Sequence, residues 1–401
     1  MLVNAIDPEE EDETELKYDF QTSFIYKYMK WTFQCTCETD WFKQTQCRKL
    51  LYTLGQIAVL LVGCSYYGFN CYMLHLNNYL AHMHDVFNAI LDLIYHFTSS
   101  FEVIGFLTLG HYTMKRHPSL VQDQIECIKK LLALLQEDTE EVDIMIKKSE
   151  RQVYDCIAVG GVILLLMPLI TNMLFIANMH WNKEINSTYR LSILMLVSEF
   201  IIRLLAMPFL FVTFFTVRLQ RIQLKLLFNK IEKFQNDEDV TDIFNSYTNI
   251  HKSISKVDKT YSAFVIYLIL SFGLEGSVGI YAEIVDNIDF FRMPGLTKMD
   301  IIYAAICIAY YVASSYFELL LPILEMATVS RDQMKVAPML LKSTPGRADF
   351  RNVHRIAHSI DLFQRSEGAG YKIFNSPITR WKAVSWVMIG PIVKMLFSRL
   401  I

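Results

Sequence analysis

Charge is distributed very unevenly along this 401-residue chain. Stretches of 20 or more residues that are poor in charge alternate with segments in which lysine, arginine and acidic residues gather. A helix rises about 1.5 Å per residue, so about 20 apolar residues cross the ~30 Å hydrocarbon core of a bilayer. We interpret the apolar stretches as seven membrane-spanning helices, at residues 52–75, 84–112, 153–178, 189–216, 262–285, 301–329 and 380–401. The expected fold class is therefore all-α, a polytopic membrane protein.

Composition excludes several other classes of protein. Charged residues make up only 20% of the chain, against about a quarter in soluble domains. The net charge of -3 comes with no basic block that alternates with aromatic residues, so we expect no nucleic-acid partner. The sequence also lacks the H-E-x-x-H, G-x-S-x-G and phosphate-loop patterns, and its eight cysteines show no paired metal-ligand spacing. We expect neither an enzyme nor a metal or cofactor site.

The basic residues predict the orientation of the helices. Lysine and arginine number 29 in four of the connecting segments and 3 in the other three. The basic segments are 1–51, 113–152, 217–260 and 330–379, and the others are 76–83, 179–188 and 286–299. Because basic loops stay in the cytosol, the N-terminus is expected inside the cell and the C-terminus outside. The single N-x-S/T sequon falls in an external loop, which predicts a glycan on Asn186.

The cytosolic segments have the apolar periodicity of amphipathic helices. Apolar residues recur at three- and four-residue spacing in 121–135, 219–234 and 352–363, with polar residues between them. We expect the first two to continue membrane helices into the cytosol, and Pro168 and Pro208 to kink helices three and four. The chain then divides into a cytosolic arm at 1–51, a six-helix bundle at 52–329, and an anchor loop with the seventh helix at 330–401.

Polar and aromatic residues predict a small-molecule pocket in the outer half of the bundle. Charges inside a bilayer are costly, so each one needs a partner or water. The expected pocket combines aromatic walls with a few orienting polar groups. Its candidate residues are Asp85, Asn88, Asp92, Tyr95, Thr171, Asn172, Phe175, Ser192, Glu199, Tyr310 and Tyr311. Two alternatives stay open: Glu199 and Arg203 neutralise each other at a helix contact, and the tyrosines belong to the aromatic belt of the membrane interface.

The C-terminal region resembles the insect gustatory and odorant receptor superfamily. The resemblance rests on a helical stretch at 347–363, the sequence Gly370-Tyr371-Lys372-Ile373-Phe374 and a terminal helix at 378–400. Seven helices with an internal N-terminus agree with it across the chain. The gustatory branch usually ends in Thr-Tyr, five apolar residues and Gln-Phe. Here Gly390-Pro391 and Phe397-Ser398 flank five residues, of which four are apolar and one is Lys394.

The resemblance implies a ligand-gated cation channel, built as a homo- or hetero-tetramer in the plasma membrane of sensory neurons. The small-molecule partner would be a tastant or odorant. The seventh helix would line the pore, and its apolar face carries Ser385, Met388, Ile392, Met395 and Leu396. Lys394, repeated around a pore, would repel cations. It therefore faces away from the axis, or the protein prefers anions, conducts poorly or does not conduct.

Two other functions remain as alternatives. A receptor that signals through a G protein would need the reverse topology, which the distribution of basic residues opposes. A transporter or a non-conducting subunit with the same fold is the second, although the sequence has none of the internal repeats that are common in transporters.

Overall fold

The computed structural model of the chain is built almost entirely of α-helices, so the predicted all-α fold class is confirmed. It describes, apart from isolated positions, residues 17–31, 120–135, 139–166, 187–234, 239–263, 320–343, 350–373 and 376–385. For residues 187–203 it describes the backbone alone.

The helices follow one another with short strands only near the C-terminus. In chain order they are α1 (Phe24–Trp31), α2 (Leu120–Leu135), α3 (Thr139–Gly161), α4 (Ser187–Lys233), α5 (239–263), α6 (Leu321–Met334), α7 (Val336–Lys342) and α8 (Phe350–Glu367). A 3₁₀ turn at Phe20–Thr22 precedes α1, and a π-helical turn at Val162–Leu166 follows α3. After α8 come β1 (Lys372–Ile373), β2 (Ser376–Pro377) and a helical segment at 380–385.

The amphipathic helices predicted from apolar spacing are present. The stretch 121–135 lies within α2, and 352–363 lies within α8. The stretch 219–234 continues the predicted membrane segment 189–216 without a break, because α4 is one helix of 47 residues. α3 likewise runs from the predicted cytosolic segment 113–152 into the predicted segment 153–178.

Most residues of the predicted membrane segments 52–75, 84–112, 262–285 and 380–401 lie outside the described part of the chain, and the segment 301–329 is described continuously only from residue 320. Within the described stretches, we find no helix that combines the length and the apolar composition that a bilayer-spanning segment needs.

α4 is the central helix of the described core. α2, α3 and α6 all pack against it. Its Phe209, Phe211 and Phe215 are almost completely buried, and each buried aromatic ring removes a large apolar area from water. A buried polar contact also crosses this core: Gln124 Oε1 accepts hydrogen bonds from Gln223 Nε2 at 3.1 Å and from Ser253 Oγ at 2.7 Å. That contact joins α2, α4 and α5, and it pairs the Gln124 oxygen with two donors, whereas Gln223 Oε1 is buried without a hydrogen-bond partner among the described residues.

The N-terminal arm is part of the same core. The ring of Phe20 stacks on Phe215 with 5.8 Å between centroids, and Tyr18 packs beside it. The backbone N–H of Lys17 donates to Asp143 of α3 at 3.2 Å. These contacts hold the start of the described chain against α3 and α4.

Tyr28 of α1 compensates for the proline in α4. Pro208 lies inside α4 and has no N–H, so the carbonyl of Leu204, four residues earlier, lacks its usual helical donor. The Tyr28 hydroxyl donates to that carbonyl at 2.7 Å. Pro208 was predicted to kink the helix; the structure adds that the carbonyl it leaves unpaired is the docking point for α1.

We expect Tyr28→Phe to destabilise the protein by about 1–2 kcal/mol, because the partly buried Leu204 carbonyl is left without a donor. The measurement is the unfolding midpoint of the detergent-solubilised chain. In a Pro208→Ala background the helix regains an N–H for Leu204, so the same change at Tyr28 should cost much less. Equal losses in the two backgrounds would contradict this account.

Candidate functional site

The chain crosses α6 at Gly370 in very close contact. Gly370 has φ of +69°, and a Cβ atom added there would lie 2.3 Å from the Cα of Ser330. Only glycine tolerates both the backbone conformation and the approach. The segment that leads to the last helix is therefore seated directly on the backbone of α6.

Tyr371 fastens this crossing to α4 and α6. Its backbone N–H donates to Ser330 Oγ at 3.0 Å, and its hydroxyl donates to Gln220 Oε1 at 2.7 Å. The side chain is only 1% exposed, and burial raises the pKa of Tyr371 well above its ordinary value. The phenol therefore remains a neutral hydrogen-bond donor at any physiological pH.

Gln333 joins three parts of the chain at the same place. Its Oε1 accepts from the Gly370 N–H at 2.5 Å, and its Nε2 lies 2.8 Å from His251 Nδ1. Its backbone carbonyl accepts from Gln364 Nε2 of α8 at 2.8 Å. Because the Gly370 N–H can only donate, the Gln333 oxygen must face it, and the amide nitrogen must face His251.

This orientation determines the tautomer of His251. A ring nitrogen that accepts from Gln333 carries no proton, so the proton of the neutral imidazole is on Nε2. Nε2 lies 3.2 Å from Glu367 Oε2, to which it donates. Protonation of Nδ1 would place two donors face to face and break the link to Gln333.

The surroundings of His251 favour the neutral ring. The side chain is 4% exposed and meets the ring of Phe363 edge-on at 4.6 Å. Burial is the main cause that lowers the pKa of His251, and the Lys372 charge lowers it further. Glu367 opposes both through its hydrogen bond and its charge, without reversing the net direction.

The residues after Tyr371 lead into the last helix. The Lys372 N–H donates to Asp258 Oδ1 of α5 at 2.9 Å, and burial raises the pKa of that carboxyl. β1 and β2 are antiparallel, with Lys372 opposite Pro377. The Thr379 hydroxyl then accepts from the Lys382 N–H at 3.3 Å, as an N-cap does.

We name the set Gln220, His251, Ser330, Gln333, Gly370 and Tyr371 the C-terminal clamp. It connects α4, α5 and α6 to the beginning of the segment 380–385. Arg380 adds a contact from that segment to Thr328 of α6, at 3.2 Å. These contacts attach the start of the segment 380–385, and the chain that leads to it, to α4 and α6. Within the described part of the chain, no group of three His, Cys, Asp or Glu side chains is placed to hold a metal ion.

Two solved structures resemble the chain over nearly its whole length. One is the olfactory receptor OR5 of Machilis hrabei in complex with eugenol, 14% identical, with a TM-score of 0.55 over 93% of this chain and 97% of the receptor. The other is a structure of the same receptor, 11% identical, with a TM-score of 0.54 over 88% and 90%. The chain has the insect olfactory receptor fold.

The resemblance noted in the sequence is therefore matched at the level of the fold. No protein-family model matches the sequence, and no curated protein matches it. The likeness to the olfactory receptor fold is therefore visible in three dimensions at a level of identity where sequence comparison finds no match.

Most residues of the predicted pocket and pore lie outside the described part of the chain. This is true of Asp85, Asn88, Asp92, Tyr95, Thr171, Asn172, Phe175, Tyr310, Tyr311, Met388, Ile392, Met395, Leu396 and the glycosylation candidate Asn186. Ser192 and Glu199 lie on the described backbone of α4, seven positions and thus about two turns apart. Ser385 is described with its side chain, and its hydroxyl donates to the Lys382 carbonyl at 2.9 Å.

Most of the C-terminal clamp was not predicted from the sequence. Gly370 and Tyr371 were singled out there, but Gln220, His251, Ser330 and Gln333 were not. The only sequence signal for the clamp in α6 is the spacing of two polar residues, Ser330 and Gln333, which are one helical turn apart. Both side chains are completely buried in the structure. Sequence spacing alone cannot distinguish such buried polar residues from solvated ones.

We expect Gly370→Ala to destabilise the protein by about 3 kcal/mol or more, because it combines a strained backbone with a collision against the backbone of Ser330. Gly368→Ala is the matched control. Gly368 also has a positive φ, of +77°, but its added Cβ meets only the flexible end of Lys372 at 2.6 Å. The control should cost about 1–2 kcal/mol. Similar unfolding midpoints for the two variants would contradict the close crossing.

We expect acid to weaken the C-terminal clamp through His251. The folded chain holds this ring with a lowered pKa, so the unfolded chain binds more protons once the pH falls through about 6.5. Stability should therefore decrease as the pH falls through and below about 6.5. His251→Gln should remove this part of the pH dependence in thermal unfolding of the purified chain.

The matched control for this prediction is His358→Gln, since His358 is exposed on α8. It should leave the pH profile unchanged. If His251→Gln keeps the full acid-dependent loss of stability, the neutral ring of His251 is not the cause.

Proposed function

We propose that this protein is a chemosensory receptor of the plasma membrane that binds a small molecule from outside the cell and gates a cation pore as a tetramer. The observation that carries the proposal is the likeness to an olfactory receptor over 93% of this chain and 97% of that receptor. A likeness limited to one bundle would support far less. The charge distribution supports the same orientation, with the N-terminus in the cytosol.

In this proposal the parts of the chain have distinct roles. The residues 52–329 form a bundle whose outer half holds the ligand, and 380–401 is the pore helix. The C-terminal clamp lies between them. α4 carries Ser192 and Glu199 of the proposed pocket near one end and Gln220 of the clamp nearer the other. A continuous helix is stiff, so a shift caused by ligand at the outer end is transmitted to the start of the last helix.

Whole-cell current recorded from cells that express this chain alone tests the proposal. The ligand panel starts from eugenol, because the similar olfactory receptor binds it, and extends to sugars and bitter compounds. We expect at least one compound to evoke a cation current in expressing cells and none in untransfected cells. Asn186→Gln should remove a glycan-sized mass, which confirms that the recorded protein has the proposed orientation.

Lys394 favours a second candidate, a subunit that does not conduct by itself. Four copies of this cation near a pore axis would oppose cation flow. No current despite normal glycosylation and surface expression would support this candidate against the first. Where current is observed, Lys394→Gln separates two arrangements: a shifted reversal potential places Lys394 in the pore, and an unchanged one places it away from the axis.

A further inference from the structure

A basic cavity of about 330 Å³ is lined by residues of α3, α4 and α6. Four cationic side chains line it, together with a single carboxylate. The cations are Lys148 of α3 and Arg218, Arg221 and Lys225 of α4, and the carboxylate is Asp332 of α6. None of these residues belongs to the clamp or to the predicted ligand pocket.

The positive charge of this cavity is not balanced by its surroundings. One carboxylate, Glu325, serves both guanidinium groups, at 3.2 Å from Arg218 and 2.9 Å from Arg221. Asp332 is already paired with Arg331 at 3.2 Å and with Lys335 at 3.4 Å. Among the described residues, the ammonium of Lys225 forms a hydrogen bond with the sulfur of Met145 and no ion pair. Lys148 likewise has no ion pair with the part of the chain that the structure describes.

Arg218 also carries an unused donor. Its side chain is 15% exposed, and its Nε is buried without a hydrogen-bond partner among the described residues. A buried donor of this kind costs free energy unless an acceptor reaches it. Guanidinium groups bind phosphate oxygens with paired, charge-assisted hydrogen bonds, which makes a phosphate group a suitable acceptor.

The position of the cavity along the helices indicates where such a phosphate comes from. The predicted membrane segments end on the cytosolic side at residues 153 and 216. At about 1.5 Å per residue, Arg218 lies about 3 Å beyond that boundary, Arg221 and Lys148 about 8 Å, and Lys225 about 14 Å. Arg218 therefore lies at the depth of the phospholipid headgroups. Lys225 lies further into the cytosol than the phosphodiester group of an ordinary phospholipid reaches.

We propose that this cavity binds the polyphosphorylated headgroup of an anionic lipid in the cytosolic leaflet. The arginines hold the phosphate nearest the membrane, and Lys148 and Lys225 bind phosphates that project further into the cytosol. Basic pockets between helices on the cytosolic side are suited to such headgroups. The assignment of a lipid rests on the membrane orientation in the proposed function, whereas the assignment of a phosphate rests on the cavity alone.

The test measures binding of a fluorescent phosphatidylinositol 4,5-bisphosphate to the purified full-length chain in detergent, with phosphatidylcholine as the reference lipid. The variant is Lys148→Gln combined with Lys225→Gln. Both side chains are exposed and neither forms an ion pair among the described residues, so the fold should persist. We expect affinity to fall about 30-fold, from about a factor of five for each lost cation.

The matched control is Lys252→Gln combined with Lys259→Gln on α5. It removes the same charge from exposed lysines that do not line the cavity, and it should leave affinity unchanged. An equal loss in the control would overturn the proposal, because it would show only general attraction to a basic surface. Lys148→Arg combined with Lys225→Arg should keep most of the binding, which separates loss of charge from loss of fold.

Soluble inositol 1,4,5-trisphosphate distinguishes the two sources of phosphate. The lipid should bind at least tenfold more tightly, because its acyl chains lie in the apolar phase. Equal affinity for the soluble compound, with the same dependence on Lys148 and Lys225, would overturn the lipid assignment. Binding is measured without any current, so a chain that binds the lipid but does not conduct contradicts only the proposed channel function.

Discussion

The contact between Gly370 and the backbone of Ser330 is the constraint on which the described structure most depends. It brings the segment after α8 so close to α6 that no side chain fits between them. At this distance every backbone polar group must find a partner within the protein, and Ser330, Gln333 and Tyr371 supply them. The close crossing and the hydrogen bonds therefore depend on each other, and neither forms alone.

Hydrogen bonding in this network is directional enough to determine a protonation state. The Gly370 N–H orients Gln333, Gln333 makes His251 an acceptor, and His251 then donates to Glu367. A chain of this kind has one satisfied arrangement of protons. The geometry of the C-terminal segment is consequently linked to the charge of a histidine on α5, far from it in sequence.

Helix α4 gives the molecule its long-range connection. Its 47 residues extend about 70 Å at the usual helical rise, from the predicted outer half of the bundle to the described core. Pro208 interrupts its hydrogen bonds only locally, because Tyr28 supplies a donor to Leu204. α4 also carries Gln220 of the clamp and the arginines of the basic cavity, so the clamp and the cavity share one element.

The sequence by itself determined the all-α class and the places of α2, α4 and α8. Apolar periodicity is a local property, and it follows from which side of a helix meets the core. The resemblance to the insect gustatory and odorant receptor superfamily, and not periodicity, indicated Gly370 and Tyr371 as the approach to the last helix. Only the tertiary structure decided what those residues contact, because Gln333 and His251 are 82 positions apart and His251 and Glu367 are 116. A buried glutamine and a solvated one look alike in a sequence, and the difference arises only when distant helices pack together.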